Sequence, residues 1–148
     1  MKAKTWILSA LLTFSIVGCG HKRVDFSPDG GTVSNAETKE AVVSHLYWVK
    51  NKADSIDIYM QLHNKYAHPV HLKAGSFNVM FEGRAGSRRK NDLALELGPN
   101  EMANGLLIYE FAPVIAEQGK VVFTIDPIYA DAEGKKKLPA IKHEVVFK

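Results

Sequence analysis

The chain lacks the residues on which several kinds of fold and chemistry depend. It has one cysteine among 148 residues, so no disulfide can form within the chain and no set of thiolates can hold a metal. No serine lies in a nucleophile-elbow pattern, and no pair of carboxylates has a spacing that fixes both in one site. The sequence therefore predicts a protein held together by packing alone, without enzymatic activity and without a cofactor.

The chain also lacks a strong excess of charge. Its formal net charge is +3, and Lys2 and Lys4 contribute to that value from the N-terminal segment. Because nucleic-acid-binding domains usually carry a strongly basic face, no nucleic-acid partner is expected. A hydrophobic content of 46% and a charged content of 24% are ordinary for a globular domain.

A long hydrophobic run is missing as well. The apolar stretch from Trp6 to Val17 is about a dozen residues long, whereas a membrane-spanning helix needs about 20. With Lys2 and Lys4 ahead of it, the stretch is typical of an export signal that is cleaved. One interpretation is an ordinary secretory signal that ends near a coincidental cysteine.

The residues Ile16-Val17-Gly18-Cys19 resemble the bacterial lipoprotein signal. The resemblance implies that residues 1–18 are removed, that Cys19 is acylated as the first residue of the mature chain, and that the membrane is a partner through this lipid. Gly20 follows the cysteine where inner-membrane retention usually goes with aspartate. In a Gram-negative host this implies an outer-membrane anchor facing the periplasm.

Composition divides the remaining chain into two parts. Residues 19–40 are polar and rich in turn-forming residues, which predicts a lipid-anchored flexible tether with a reach of about 25 Å. From residue 41 to 148 the pattern becomes strand-like. This part is predicted to be one domain.

Apolar residues alternate with polar ones along the second part. In the clearest case Ile56, Ile58, Met60 and Leu62 are separated by polar or amphipathic residues, which is the pattern of a strand with one buried face. Further strands are predicted at about 42–50, 69–73, 77–81, 93–97, 105–111, 120–129 and 141–147. Seven or eight short strands separated by turn signals, with no long amphipathic helix, predict an all-β antiparallel β-sandwich. Trp48, Phe111 and Phe123 are expected to add bulk to its core.

Two stretches resemble the Ig-like domains of bacterial lipoproteins and other extracellular proteins. Asn64 at a strand end, followed by Pro69-Val70 and later Phe77-Asn78-Val79, matches the first part of their signature. Leu97-Gly98-Pro99-Asn100-Glu101 resembles their later hairpin, except that Asn100 stands where the family usually has glycine. The resemblance covers residues 43–147 and implies an Ig-like sandwich without indicating an activity.

Basic residues cluster in a predicted loop between Gly83 and Asp92. Arg84, Arg88, Arg89 and Lys90 in one flexible loop could bind phosphate or carboxylate groups of a lipid headgroup, an anionic cell-wall polymer or an acidic envelope protein. The alternative is a solvated hairpin tip that discourages aggregation. A second basic tip, Lys135 to Lys137, follows Gly134.

Histidines offer the leading candidate metal ligands. His63, His68 and His71 flank one turn, and neutral imidazoles that converge there could bind Zn²⁺ or Cu²⁺. The alternative is a set of surface histidines around a loop. Two classes of function therefore stay open: a non-enzymatic binding or structural module of the cell envelope, and a periplasmic copper or zinc carrier.

Overall fold

The structure is a computed structural model that describes residues 21–27 and 29–148. The predicted signal over residues 1–18 and the predicted lipid site at Cys19 lie outside these residues. Among the described residues, no helix is long and apolar enough to cross a membrane. Apart from a 3-10 turn at Ala74–Ser76, the regular elements are strands.

The strands are numbered in chain order. They are β1 Lys22–Asp25, β2 Thr32–Ser34, β3 Val42–Asn51, β4 Ser55–Asn64, β5 Val70–His71, β6 Phe77–Phe81, β7 Arg84–Ala85, β8 Ser87–Asn91, β9 Glu96–Leu97, β10 Met102–Glu110, β11 Gly119–Ile125, β12 Ile128–Tyr129, β13 Lys137–Leu138 and β14 Ile141–Phe147. They exceed the predicted seven or eight because many are only two or three residues long.

All the strands pair antiparallel, in three sheets. The first sheet has the order β1-β3-β4-β10-β8, with β2 also paired to β3. The second sheet has the order β14-β11-β6-β7, and a small third sheet has the order β13-β12-β5-β9. The predicted all-β antiparallel sandwich is confirmed.

Alternation along the strands builds the core between the first two sheets. Every second residue of β4 from Ile56 to Leu62 is fully buried, and Val121 and Phe123 of β11 lie opposite them in the second sheet's inner face. Each of the long strands β4, β10, β11 and β14 thus presents an apolar face inward, as a period of two residues requires. Phe111 and Phe123 are buried as expected.

Trp48 departs from that expectation. The register of β3 against β4 shifts between Leu46 and Trp48, so one extra residue enters β3 and the alternation changes phase. Both Tyr47 and Trp48 are half-buried, whereas Leu46 and Val49 are fully buried. The bulge therefore places Trp48 on the outer face of the first sheet.

The predicted strand at 93–97 is also mostly irregular. Only Glu96 and Leu97 form a strand, and Leu95 is 42% exposed. Leu95 instead accepts a hydrogen bond from the Leu72 amide through its carbonyl, at 2.8 Å.

The tether predicted over residues 19–40 is wrong over much of its length. Residues 22–25 pair with the end of β3, and residues 32–34 pair with its beginning. Phe26 donates its amide to Tyr47 O at 3.0 Å, and Leu46 donates to Gly31 O at 2.9 Å. Composition did not indicate these strands because they are short and lie among turn-forming residues. Val24 is the one buried apolar side chain in them.

The two ends of the sandwich are defined by where the long strands begin and end. At the proximal end β1 begins, β3 and β14 end, and the turn at 52–54 meets the loop at 111–118. Lys22 Nζ donates to Lys148 O at 2.8 Å there, and Ile115 N donates to Ala53 O at 2.8 Å. At the distal end the third sheet and the loops at 35–41 and 65–69 close the sandwich.

A buried asparagine at each end of the sandwich forms hydrogen bonds to the backbone of the adjoining loops. At the distal end Asn64 donates to the carbonyls of His68, Leu97 and Gly98 and accepts the Tyr66 amide. At the proximal end Asn51 Nδ2 donates to Ala116 O at 2.8 Å and to Glu117 O at 3.3 Å, and its Oδ1 accepts the Ala53 amide. These amides replace the backbone partners that loops lack.

Candidate binding surfaces

The predicted basic loop is a pair of short edge strands. Residues 84–85 form β7 at the edge of the second sheet, and residues 87–91 form β8 at the edge of the first. The prediction of a flexible loop is therefore wrong, because pairing with β6 and β10 fixes this backbone. We call the four cations Arg84, Arg88, Arg89 and Lys90 the basic edge, and all four are exposed.

Two cations of the basic edge have acidic neighbours. Arg89 lies 3.3 Å from Glu110, and Lys90 lies 3.7 Å from Asp92. These pairs are exposed, so each contributes little to stability and leaves its cation accessible.

The other two cations have different surroundings. Arg84 donates to Pro113 O and lies over the ring of Phe111, at 5.9 Å from its centroid. Arg88 lies beside Tyr109, where its charge partly opposes the rise in the Tyr109 pKa that burial causes. Within the part of the chain that the structure describes, neither arginine forms an ion pair with a carboxylate.

The second basic tip lies at the opposite end of the sandwich. Asp131 accepts the backbone amides of Lys135 and Lys136, and these bonds hold the pKa of its carboxyl below the usual value. Lys137 lies 3.4 Å from Asp126. Acidic groups thus accompany this tip, which lies at the other end of the sandwich from the basic edge.

Charge differs between the two ends more generally. The cations in the strand ends and loops of the proximal end are Lys22, Lys52, Arg84, Arg88, Arg89, Lys120 and Lys148. The acidic side chains there are fewer: Asp54, Asp57, Glu82, Glu110 and Glu117, of which Asp57 lies 3.4 Å from Lys52. At the distal end the acids are Glu37, Glu40, Glu96, Glu101, Asp126, Asp131 and Glu133, against Lys39, Lys65, Lys73, Lys135, Lys136 and Lys137. The proximal end is therefore the more basic one.

The structure does not bring the three candidate metal ligands together. His63 lies in β4 of the first sheet, while His71 lies in β5 of the third sheet opposite Tyr129 and Glu96. His68 Nδ1 lies 2.9 Å from Pro69 O, and its ring stacks on Tyr66. Among the described residues, no group of three or more His, Cys, Asp or Glu side chains is placed to hold a metal ion. The predicted histidine cluster is wrong. His63 and His71 are close in sequence, but the chain passes from the first sheet to the third between them.

An aromatic row on the outer face of the first sheet was not predicted. Tyr59 lies between Tyr47 and Trp48, with ring centroids 5.1 and 5.9 Å away, and Arg23 covers the far side of Trp48 at 4.8 Å. His45 meets Tyr47 edge-on at 5.0 Å. A hollow of ≈ 400 Å³ lies beside this row. The aromatic residues at outward positions of β3 and β4 could have indicated this row. Strict alternation, however, does not predict that Trp48 belongs to it, because the bulge changes the phase of β3.

A second unpredicted feature is a buried histidine between the sheets. His143 is 4% exposed, stacks on Phe123, and has Nε2 2.8 Å from Ser44 Oγ. Burial, with the nearby His45 as a smaller cause, lowers the His143 pKa from 6.5 to about 3. His143 is therefore neutral in the folded protein at ordinary pH and acts as a core residue.

Comparison with known proteins adds a fold likeness. No protein-family model matches the chain, and no curated protein matches it. Among solved structures, it is similar to a putative lipoprotein (ycdA) from Bacillus subtilis, with a TM-score of 0.57 and 10% sequence identity. The likeness covers 79% of this chain but only 38% of that protein, so the chain spans well under half of its length. At this identity the likeness shows a shared fold.

Proposed function

We propose that the protein is a lipid-anchored module of the cell envelope that acts by binding an anionic partner and catalyses no reaction. In this proposal Cys19 carries the lipid, and the basic edge makes the contact. The anchor is expected in the outer membrane, facing the periplasm. The fold likeness to a lipoprotein and the export signal support the anchor.

One observation carries the binding role. The basic edge presents four exposed cations on paired strands, and Arg84 and Arg88 are not neutralised by acidic neighbours within the described part of the chain. Arginine guanidinium groups on a fixed backbone suit phosphate and carboxylate groups, since each can donate two parallel hydrogen bonds. The basic edge could thus bind an anionic group directly through its guanidinium groups.

Lipid attachment is tested by labelling with radioactive palmitate. The wild-type chain should incorporate label, and Cys19→Ala should abolish incorporation. Equal incorporation by the two proteins would overturn the anchor.

Binding is tested by crosslinking capture from intact envelopes. Arg88→Glu with Arg89→Glu should reduce partner capture strongly. Lys135→Glu with Lys136→Glu, which makes the same charge change at the distal end, is the matched control and should capture normally. Equal capture by both double variants would remove the basic edge from the function.

A further inference from the structure

The position of β1 limits how far the folded domain can lie from a lipid on Cys19. β1 begins at Lys22, and an extended chain spans at most about 3.5 Å per residue, so residues 19–21 reach about 10 Å. The tether predicted from composition would have reached about 25 Å. Because Lys22 lies at the proximal end, a lipid on Cys19 holds that end beside the headgroups.

The charge of the proximal end complements an anionic bilayer. Its strand ends and loops carry more cations than acids, including Lys22 beside the exit of the chain and Arg84, Arg88 and Arg89 across the end. Charges interact over about 10 Å at ordinary ionic strength. Residues 19–21 span about the same distance, so these cations lie within reach of the headgroup charges. Each cation near an anionic membrane surface favours the docked state by about fivefold.

An exposed apolar side chain lies at the same end, in the loop that Arg84 contacts. Val114 is 62% exposed, in the loop between Phe111 and Ile115, which are both buried. Ile115 N donates to Ala53 O at 2.8 Å and Arg84 donates to Pro113 O, so both sides of Val114 are held by the fold. An apolar tip flanked by basic side chains is the composition of surfaces that bind at the headgroup boundary.

We propose that the proximal end docks on the anionic phospholipid headgroups of the bilayer that holds the lipid of Cys19, with Val114 at the boundary and Arg88 and Arg89 against the phosphates. This inference rests on the lipid anchor of the proposed function and names the partner of the basic edge. The distal end, with the third sheet, then faces away from the bilayer.

Fluorescence quenching on the full lipidated protein tests this orientation. Cys19 is the chain's one cysteine, and once it is acylated a cysteine introduced elsewhere can be labelled alone. An environment-sensitive fluorophore on Val114→Cys should be quenched by quencher-bearing lipids in vesicles of phosphatidylcholine and phosphatidylglycerol. The same fluorophore on Lys135→Cys, at the distal end, is the matched control and should escape quenching.

Charge dependence identifies the headgroup chemistry. Quenching at position 114 should fall in vesicles of phosphatidylcholine alone. It should also fall when Arg88→Glu and Arg89→Glu are added, since losing two cations shifts the docking equilibrium by about 25-fold. Lys135→Glu with Lys136→Glu should leave the quenching unchanged.

The outcomes separate this inference from the proposed function. Equal quenching at positions 114 and 135, stronger quenching at 135, or no dependence on phosphatidylglycerol would overturn the docking. If the docking fails while Arg88→Glu with Arg89→Glu still abolishes envelope capture, the basic edge binds another anionic partner and the proposed function stands. Failure of palmitate incorporation would instead remove the anchor itself.

Discussion

The proximal and distal ends of the sandwich are closed by different means. At the distal end Asn64 binds three carbonyls and one amide, and a third sheet covers the strand ends. At the proximal end Asn51 binds two carbonyls of an exposed segment and the Ala53 amide, and cations outnumber acids. The distal end is thus organised mainly by buried hydrogen bonds, while the proximal end keeps polar and apolar groups exposed.

The largest expected effect is the loss of stability when the buried asparagine at each end is replaced. Asn64→Ala should lower the free energy of unfolding by about 4 kcal/mol, since it leaves several buried backbone groups unpaired. Asn51→Ala should cost about 2 kcal/mol, because Ala116 and Glu117 are exposed and water can replace the lost donor. Urea unfolding measures both. Equal costs would contradict the difference between the ends.

For two glycines, the larger cost of substitution is expected at the proximal end instead of the distal end. Gly119, at the proximal end, has φ +153°, and a Cβ there would lie 2.5 Å from the ring of Phe81. Gly134, at the distal end, has φ +74° but an added Cβ would meet only ordinary contacts, the nearest at 3.6 Å. Gly119→Ala should therefore cost about 3 kcal/mol and Gly134→Ala about 1 kcal/mol. Thermal unfolding compares them, and a larger loss for Gly134→Ala would refute this account of the packing.

Acid should destabilise the whole fold, because His143 is buried between the two large sheets. Its pKa is about 3 in the folded protein and 6.5 in the unfolded chain. As the pH falls from 6.5 towards 3, only the unfolded chain gains this proton, so stability falls by up to about 1.4 kcal/mol per pH unit.

The corresponding control is His143→Asn, which removes the titration and keeps an amide near Ser44. The slope of stability against pH, measured by urea unfolding at a series of pH values, should be shallower for the variant between pH 6.5 and about 3. Identical slopes would show that His143 is charged in the folded state or contributes nothing.

The smallest expected effect separates binding from folding at the proximal end. Arg88→Glu with Arg89→Glu should change the free energy of unfolding by less than about 0.5 kcal/mol, because both side chains are exposed. Urea unfolding at the pH of the capture experiment checks this. A large loss of stability would mean that reduced capture reports damage to the fold.

The sequence was a good guide where one strand carried its own pattern. The alternation from Ile56 to Leu62 predicted β4 almost to its ends, because burial of one face is a local signal. It was a poor guide where pairing was decided at a distance. β1 and β8 are polar edge strands that β3 and β10 recruit, and nothing local distinguishes them from loops.

The candidate sites followed the same division. The basic edge could be found as a cluster of cations in sequence, although its strand structure could not. His63 and His71 are neighbours in sequence, yet they enter different sheets, and only the long-range pairing separates them. The aromatic row depended on the bulge at Trp48, which shifts the phase of alternation without any glycine or proline to mark it.

The folded domain begins at β1, three residues after the proposed lipid site at Cys19, so a lipid there would hold the proximal end at the membrane. Hydrogen–deuterium exchange of the full lipidated protein measures this most directly. The Phe26 amide, which donates to Tyr47 O at 3.0 Å, should exchange as slowly as the amides of β3. Exchange of Phe26 at the rate of unstructured chain would restore a long flexible tether and contradict the account.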